Sequence, residues 1–261
     1  MKNKFNIFFI IDETTFHHPL FFKDFLINLK DDLVGVGLVT KIKKKNSLDR
    51  YFFNNFYKFY ISEIFKLVFL KYTRMILDKF SFFSNKCYTV KSILKKNKIN
   101  FFEIHYDVNK KEYLDKIKKL NIDILISSNS LIFKKELLSI PKICTINRHS
   151  SLLPAYGGLL PVFQAFKSGE KYTGVSVHLM NNKIDDGEVI VSESIKINKR
   201  DTLDSLYKEC FSISAKLIIK AINKIHQKDY KGFSNNTTRS YFTFPTQEDW
   251  KLFRKRGGRI I

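Results

Sequence analysis

Two short stretches of the chain concentrate the side chains able to do chemistry. In the run Ile146-Asn147-Arg148-His149-Ser150-Ser151-Leu152-Leu153-Pro154, an asparagine and a histidine stand two residues apart, directly after the apolar segment Ile143–Ile146. In an extended backbone that spacing turns both side chains to the same side. Polar groups at the end of a buried strand cost free energy unless they are hydrogen-bonded or put to use. An asparagine amide is a neutral hydrogen-bond donor, and a histidine, with a reference pKa of about 6.5, exchanges a proton near neutrality. The second stretch, Gly174–Ile190, is a strand pattern followed by the turn Asp185-Asp186-Gly187, which offers carboxylates. Each feature alone is ordinary: strand-end histidines are commonly structural, and Asp-Asp-Gly is common turn chemistry.

Both stretches fall in a regular alternation of apolar runs and helical patterns. Strands are expected at Phe5–Ile11, Leu33–Thr40, Phe101–His105, Ile122–Ser127, Ile143–Ile146, Thr173–Met180 and Glu188–Ile197. Helices are expected at Leu20–Leu29, Lys110–Leu120, Lys134–Leu138 and Thr202–Ile225, the last capped by Thr202. This is the βαβ rhythm of a Rossmann-like α/β fold with a mostly parallel sheet flanked by helices. In such sheets the ligand sits beyond the carboxyl ends of the strands, which is where Asn147 and His149 lie. Residues 48–82 form an insertion dense in Tyr and Phe. Its aromatics, at near-helical spacing, are expected to pack as a helix pair against the sheet rather than to form a membrane-surface or partner-binding hairpin. With no repeat and no flexible linker, residues 1–200 read as one domain carrying that insertion. Residues 201–261 read as a C-terminal helix and a docked tail.

The formal charge of +21 over 261 residues invites a nucleic-acid or anionic-membrane partner. The lysines, however, are spread over predicted helix surfaces, and only Lys41–Lys45 and Arg254–Arg259 are dense. A solvated face that also attracts an anionic small substrate is therefore expected, without a dedicated nucleic-acid surface. Cys87, Cys144 and Cys210 are odd in number and far apart, which argues against a disulfide framework and a zinc site and suits a reducing cytoplasm. The N-terminal run Phe5–Ile11 ends in Asp12-Glu13 with no cleavage site, so it reads as a strand and not a signal peptide. No segment is long and apolar enough for a membrane span.

Taken together, the two stretches resemble the folate-dependent formyltransferase family, which includes glycinamide ribonucleotide, methionyl-tRNA and nucleotide-sugar formyltransferases. That family reads Asn-x-His-x-Ser-Leu-Leu-Pro, then a Thr-Gly-Val-x-Val-x strand, then an Asp-x-Gly turn. The matching residues are Asn147, His149 and Ser151–Pro154, then Thr173–His178, then Asp185-Asp186-Gly187. The resemblance is dense from residue 143 to residue 191. It implies the formyltransferase fold, a cytoplasmic enzyme, and 10-formyltetrahydrofolate as formyl donor, with no metal in the mechanism.

The resemblance also implies roles. Formyl transfer to an amine passes through a tetrahedral intermediate bearing an oxyanion. Asn147 would donate to that oxygen, and His149 would donate when protonated and carry the proton from the amine to the folate nitrogen. Asp185 would hold the imidazolium, while Asp186 serves the turn. Backbone groups of Ser130, Leu131, Ile132 and Phe133, and of Ile184 before the aspartate, would hold the pterin ring. The remaining histidines, His17, His18, His105, His178 and His226, have no partner motif, and His178 is expected to be structural. The stretch Asp12–Pro19 lacks the glycine-rich phosphate loop of the glycinamide ribonucleotide enzymes. Ala155-Tyr156-Gly157-Gly158 replaces the basic residues of the methionyl-tRNA enzymes, and the roughly sixty residues after the last sheet strand are expected to leave no room for their C-terminal barrel. A small anionic amine, with a nucleotide-linked amino sugar as the candidate, is the acceptor class that remains. Methionyl-tRNA and glycinamide ribonucleotide are the alternatives, as is a non-catalytic basic binding protein on the same fold. A homodimer is compatible with all of these.

Overall fold

The computed structural model describes residues 5–43, 48–81, 86–230, 232–233 and 237–261. The first apolar run becomes β1 (Ile7–Asp12), with Ile7–Ile11 fully buried. A strand covered on both faces has no polar side, which is why it reads as a continuous run and not an alternation. Next comes α1 (His18–Leu29), with Pro19 in the first turn, where a missing N–H is tolerated. The chain continues through β2 (Leu33–Lys41), the insertion helices α2 (Leu48–Asn54) and α3 (Ile61–Lys79), and α4 (Val90–Lys96) to β3 (Phe101–His105). Then α5 (Lys111–Lys119), β4 (Ile124–Ser128) and the short α6 (Lys135–Leu138) lead to β5 (Cys144–His149). The two-residue β6 (Gly157–Gly158), α7 (Pro161–Ser168), β7 (Tyr172–Leu179) and β8 (Val189–Lys196) precede the long α8 (Leu203–His226). The tail contributes β9 (Tyr241–Phe242) and α9 (Gln247–Lys255).

The main sheet has the order β3-β2-β1-β4-β5-β7-β8. From β3 to β5 all pairs are parallel, and β7 and β8 add an antiparallel edge. The strand order reverses between β1 and β4, so the crevice for a ligand opens at their carboxyl ends. One apolar cluster joins α1, α8 and one face of the sheet through Phe9, Phe25, Leu206, Cys210 and Ile218. A second joins α5 to the other face through Phe8, Ile10, Tyr113 and Ile117. As the sequence predicts, Thr202 caps α8: its hydroxyl accepts from Ser205 N–H at 3.1 Å while Ser205 Oγ accepts from Thr202 N–H at 3.0 Å.

The insertion departs from expectation. Tyr51, Phe52 and Phe59 do pack, but largely on the tail. Tyr51 stacks on Phe244 at 4.6 Å, Phe59 meets Trp250 at 5.1 Å, and Tyr51 Oη accepts from Trp250 Nε1 at 2.6 Å. In α3, by contrast, Phe65, Phe69 and Tyr72 point to solvent. The inward side of that helix sets polar anchors beside Leu67, which packs on the core: Glu63 is buried against Arg254, Arg74 Nη1 donates to the Thr15 carbonyl, and Asp78 accepts from Tyr88 N–H and Thr89 Oγ1. These bonds fix the helix rotation and turn its apolar stripe outward. Position 82, the end of the expected insertion, lies outside the described residues, as do positions 44 and 45 of the basic run Lys41–Lys45. In the other basic run, two of the four cations are engaged within the chain. Arg254 is held by Glu63, and Arg259 Nη2 donates to the Arg200 carbonyl at 2.8 Å.

Candidate active site

Strand β5 extends past Ile146 to include both Asn147 and His149, because β7 pairs with it there: Asn147 lies opposite His178 and His149 opposite Ser176. Alternation along β5 turns Asn147 and His149 to one face and Arg148 to the other. Arg148 is buried, stacks its guanidinium 3.9 Å over Phe211 and donates from Nε to Ser214 Oγ at 2.7 Å. Burial pushes its pKa down to about 10, and its Nη2 has no hydrogen-bond partner among the described residues.

Asp185 reaches the same face from the turn between β7 and β8. Its backbone is left-handed, with φ +49°, a conformation that Asp and Asn tolerate better than most residues. Its Oδ2 accepts from Gly158 N–H at 2.8 Å and lies 3.6 Å from His149 Nδ1, and its Oδ1 lies 3.6 Å from His178 Nε2 and 3.5 Å from Asn147 Nδ2. Asn147, His149 and Asp185 are thus brought into one cluster, and His178 joins them. His178 is more than the strand-packing residue expected, since its Nδ1–H donates to the Leu179 carbonyl at 2.8 Å. With that proton on Nδ1, the Nε2 lone pair is the acceptor the Asn147 amide meets, 3.2 Å away, and it dictates which end of that amide faces the ring. Asp186 does serve the turn, pairing with Arg239 and, at 3.7 Å, with Lys183.

The electrostatics follow from burial. Burial alone would raise the Asp185 carboxyl, but the nearby rings of His149 and His178 and the Gly158 N–H together hold it well below the usual carboxylate range. Burial pushes the His149 ring below its ordinary value, and the Asp185 charge offsets part of that. At neutral pH the pair is a carboxylate beside a neutral imidazole. Its Nε2–H donates to the Tyr156 carbonyl at 3.0 Å, so the Nδ1 lone pair faces Asp185.

The support for this arrangement comes from the tail, which sequence patterns did not connect to it. β9 pairs with β6, Ser240 Oγ accepts from Tyr156 N–H at 2.9 Å, and Phe242 stacks on Tyr156 at 5.6 Å. The tail thereby fixes the Tyr156 carbonyl that orients His149 and the Gly158 N–H that holds Asp185. Gly158 has φ +91°, and a Cβ there would run into the Phe242 carbonyl. Gly158→Ala is expected to part β6 from β9 and cost at least about 1–2 kcal/mol from the backbone conformation alone. An unchanged urea midpoint for this variant would refute the coupling between tail and site.

The expected pterin loop, Ser130–Phe133, follows β4 and so stands beside β5 at the carboxyl edge, although no hydrogen bond joins it to the cluster among the described residues. It is braced on both sides. Asn129 Oδ1 accepts from Leu131 N–H at 2.8 Å, and Asn109 bonds the Ile132 carbonyl at 2.9 Å and Lys134 N–H at 2.8 Å. Phe133 is buried while Ile132 and Ile184 are exposed. Across the switch point Ser130 Oγ donates to Asp12 Oδ2 at 2.6 Å. Burial pushes the Asp12 carboxyl up to about 6, and its other oxygen has no hydrogen-bond partner among the described residues. Asp12 is thus a protonatable group at the crevice that no motif flagged.

Comparison with known proteins bears on this geometry. Residues 85–222, more than half of the chain, match the formyl transferase family model. The chain is 34% identical over 128 residues to the methionyl-tRNA formyltransferase of Prochlorococcus marinus (strain AS9601), covering 49% of this chain and 39% of that one. It is 38% identical over 146 residues to the bifunctional polymyxin resistance protein ArnA of Wigglesworthia glossinidia brevipalpis, covering 53% of this chain and 22% of that one. It thus spans less than half the length of these relatives. Among solved structures, the N-formyltransferase from Helicobacter canadensis, in complex with folinic acid and dTDP-3-aminofucose, superposes with a TM-score of 0.59 at 19% identity, covering 94% of this chain and 72% of that one. The family model, and a fold shared with that enzyme, agree with the motifs on β5 and β7: the chain belongs to the formyl transferase family.

Proposed function

We propose that the protein transfers a formyl group from 10-formyltetrahydrofolate to a primary amine of a small anionic acceptor, with a nucleotide-linked amino sugar as the leading class. The convergence of Asn147, His149 and Asp185 at the end of β5 supports this most directly. Attack of the amine on the formyl carbon forms one C–N bond, and loss of the folate nitrogen breaks the other. Asn147 keeps one amide proton on His178; the other, in a weak 3.5 Å contact with Asp185, is available to an oxyanion. His149 takes the amine proton on Nδ1 and returns it to the departing folate nitrogen. The imidazolium formed in between lies against the Asp185 carboxylate, which balances its charge. The braced backbone of Ser130–Phe133, with exposed Ile132 and Ile184, suits a flat heterocycle that needs both hydrogen bonds and an apolar surface.

The amino-sugar class draws support from the dTDP-3-aminofucose bound by the Helicobacter canadensis enzyme. Arg254 and Arg259 are engaged within the chain, which weighs against a tail devoted to RNA. The methionyl-tRNA reading keeps the support of the Prochlorococcus marinus relative. The deciding experiment offers 10-formyltetrahydrofolate together with dTDP-linked amino sugars or with charged initiator tRNA, following tetrahydrofolate release and identifying the formamide by mass spectrometry. Turnover on an amino sugar is expected, with tRNA bound weakly and released by salt. Formylation of methionyl-tRNA alone would replace the amino-sugar class. Failure to bind the folate at all, measured by calorimetry, would remove the enzyme.

A further inference from the structure

Helix α3 packs Leu67 on the core but anchors itself there mainly through polar groups, and it leaves most of its apolar stripe outside. Its charged residues Glu63, Arg74 and Asp78 face inward, and each is satisfied there. On the far side Ile61, Phe65, Val68, Phe69, Tyr72 and Ile76 recur at three- and four-residue spacing, all between 47% and 72% exposed. That spacing makes one continuous stripe along the helix. Lys66 and Lys71, both exposed, fall on opposite flanks of the stripe, and exposed Lys79 lies at its end. Because both acidic residues of the helix are turned inward, the charges presented outward are all positive. The helix is also rigidly mounted, through Arg254 at one end and through Asp78 at the cap of α4 at the other.

An apolar aromatic stripe edged on both sides by lysines matches the boundary between acyl chains and phosphates. The rings enter the apolar side, and the lysine stems reach back to the headgroups. A second copy of the chain fits less well. Pairing two such faces would set Lys66, Lys71 and Lys79 against their own copies, on molecules that each carry a net charge of +21. We propose that α3 lays its outer face into the surface of a membrane rich in anionic phospholipid. This holds independently of the formyl-transfer reading, since none of these residues belongs to the site on β5.

Co-sedimentation of the full chain with phosphatidylcholine vesicles, with and without phosphatidylglycerol, tests the proposal. Binding is expected only with the anionic lipid, and to weaken with salt. Phe65→Ser/Phe69→Ser/Tyr72→Ser removes exposed rings that support no core contact, so its thermal midpoint is expected to match the parent while vesicle affinity falls about a hundred-fold or more. Lys66→Gln/Lys71→Gln is expected to lose about thirty-fold, at roughly one charge's worth of attraction per lysine. The proposal is overturned if the parent stays in solution with anionic vesicles. It is equally overturned if the triple variant binds them like the parent, which would mean adsorption through scattered lysines. A dimer by size-exclusion light scattering that the triple variant abolishes, without vesicle binding, would assign the face to a second copy instead.

Discussion

Replacing His149 by alanine is expected to lower turnover on the authentic acceptor by at least about a hundred-fold, since a positioned proton carrier contributes roughly a hundred- to ten-thousand-fold. Asp185→Asn should lose a comparable factor for a different reason. Asparagine tolerates the left-handed backbone at this position and keeps the shape of the side chain, but it removes the charge that stabilises the imidazolium. Folate affinity should change much less in both variants, because the Ser130–Phe133 backbone proposed to hold the pterin is untouched. The pH profile separates the roles. His149 must be neutral to accept a proton, so the rate falls as pH drops through its pKa. Burial has moved that pKa below the ordinary value of about 6.5, so the acid limb lies on the acid side of it. In Asp185→Asn the carboxylate that partly offsets burial is gone, and the residual activity should show an acid limb displaced further down. Near-native turnover in both variants would place the chemistry elsewhere, and an acid limb that rose in Asp185→Asn would contradict the pairing itself.

The largest expected effect on stability comes from Arg254→Ala. Arg254 grips buried Glu63 with both ends of its guanidinium, Nη1–Oε1 at 2.9 Å and Nη2–Oε2 at 2.5 Å, and also donates to the carbonyls of Gly258 and Lys58. Glu63 further accepts from the N–H groups of Ile260 and Tyr60. One ion pair therefore ties α3, the insertion turn and the chain's last residues together. Truncating the arginine leaves a buried carboxylate without its cation, which typically costs about 3–5 kcal/mol. Urea unfolding should show this at neutral pH, and a loss below about 1 kcal/mol would mean that the pair is relaxed in solution. The dependence on pH has a definite sign. Burial by itself would raise the Glu63 pKa, but Arg254 and the two N–H groups bring it below the ordinary value. A carboxyl with a depressed folded pKa contributes stability above its unfolded value of about 4.3 and loses it as pH falls through the folded pKa. The gap between parent and variant should therefore be widest at neutral pH and close in acid.

Much of this molecule is determined by sequence alone. The continuous apolar runs of β1 and β4, the Thr202 cap and the spacing from Asn147 to Asp185 are local signals. A strand buried on both faces must be apolar throughout, and a helix start must satisfy its own N–H groups, whatever the rest of the chain does. The alternation that puts Asn147 and His149 on one side of β5 is equally local. What only the tertiary structure decided are the relations between distant segments. Pairing with β7 prolonged β5 and set His178 opposite Asn147, turning a strand residue expected to be structural into the group that orients the amide. Packing of the tail strand on Gly157 and Gly158 supplied the carbonyl and the N–H that hold His149 and Asp185, and nothing in the spacing of either segment encodes that contact. The rotation of α3 was decided in the same way. Its aromatic period is legible and suggests burial, but which face turns inward depends on the energy of burying Glu63 with Arg254 almost two hundred residues away, and a periodicity carries no information about such a partner.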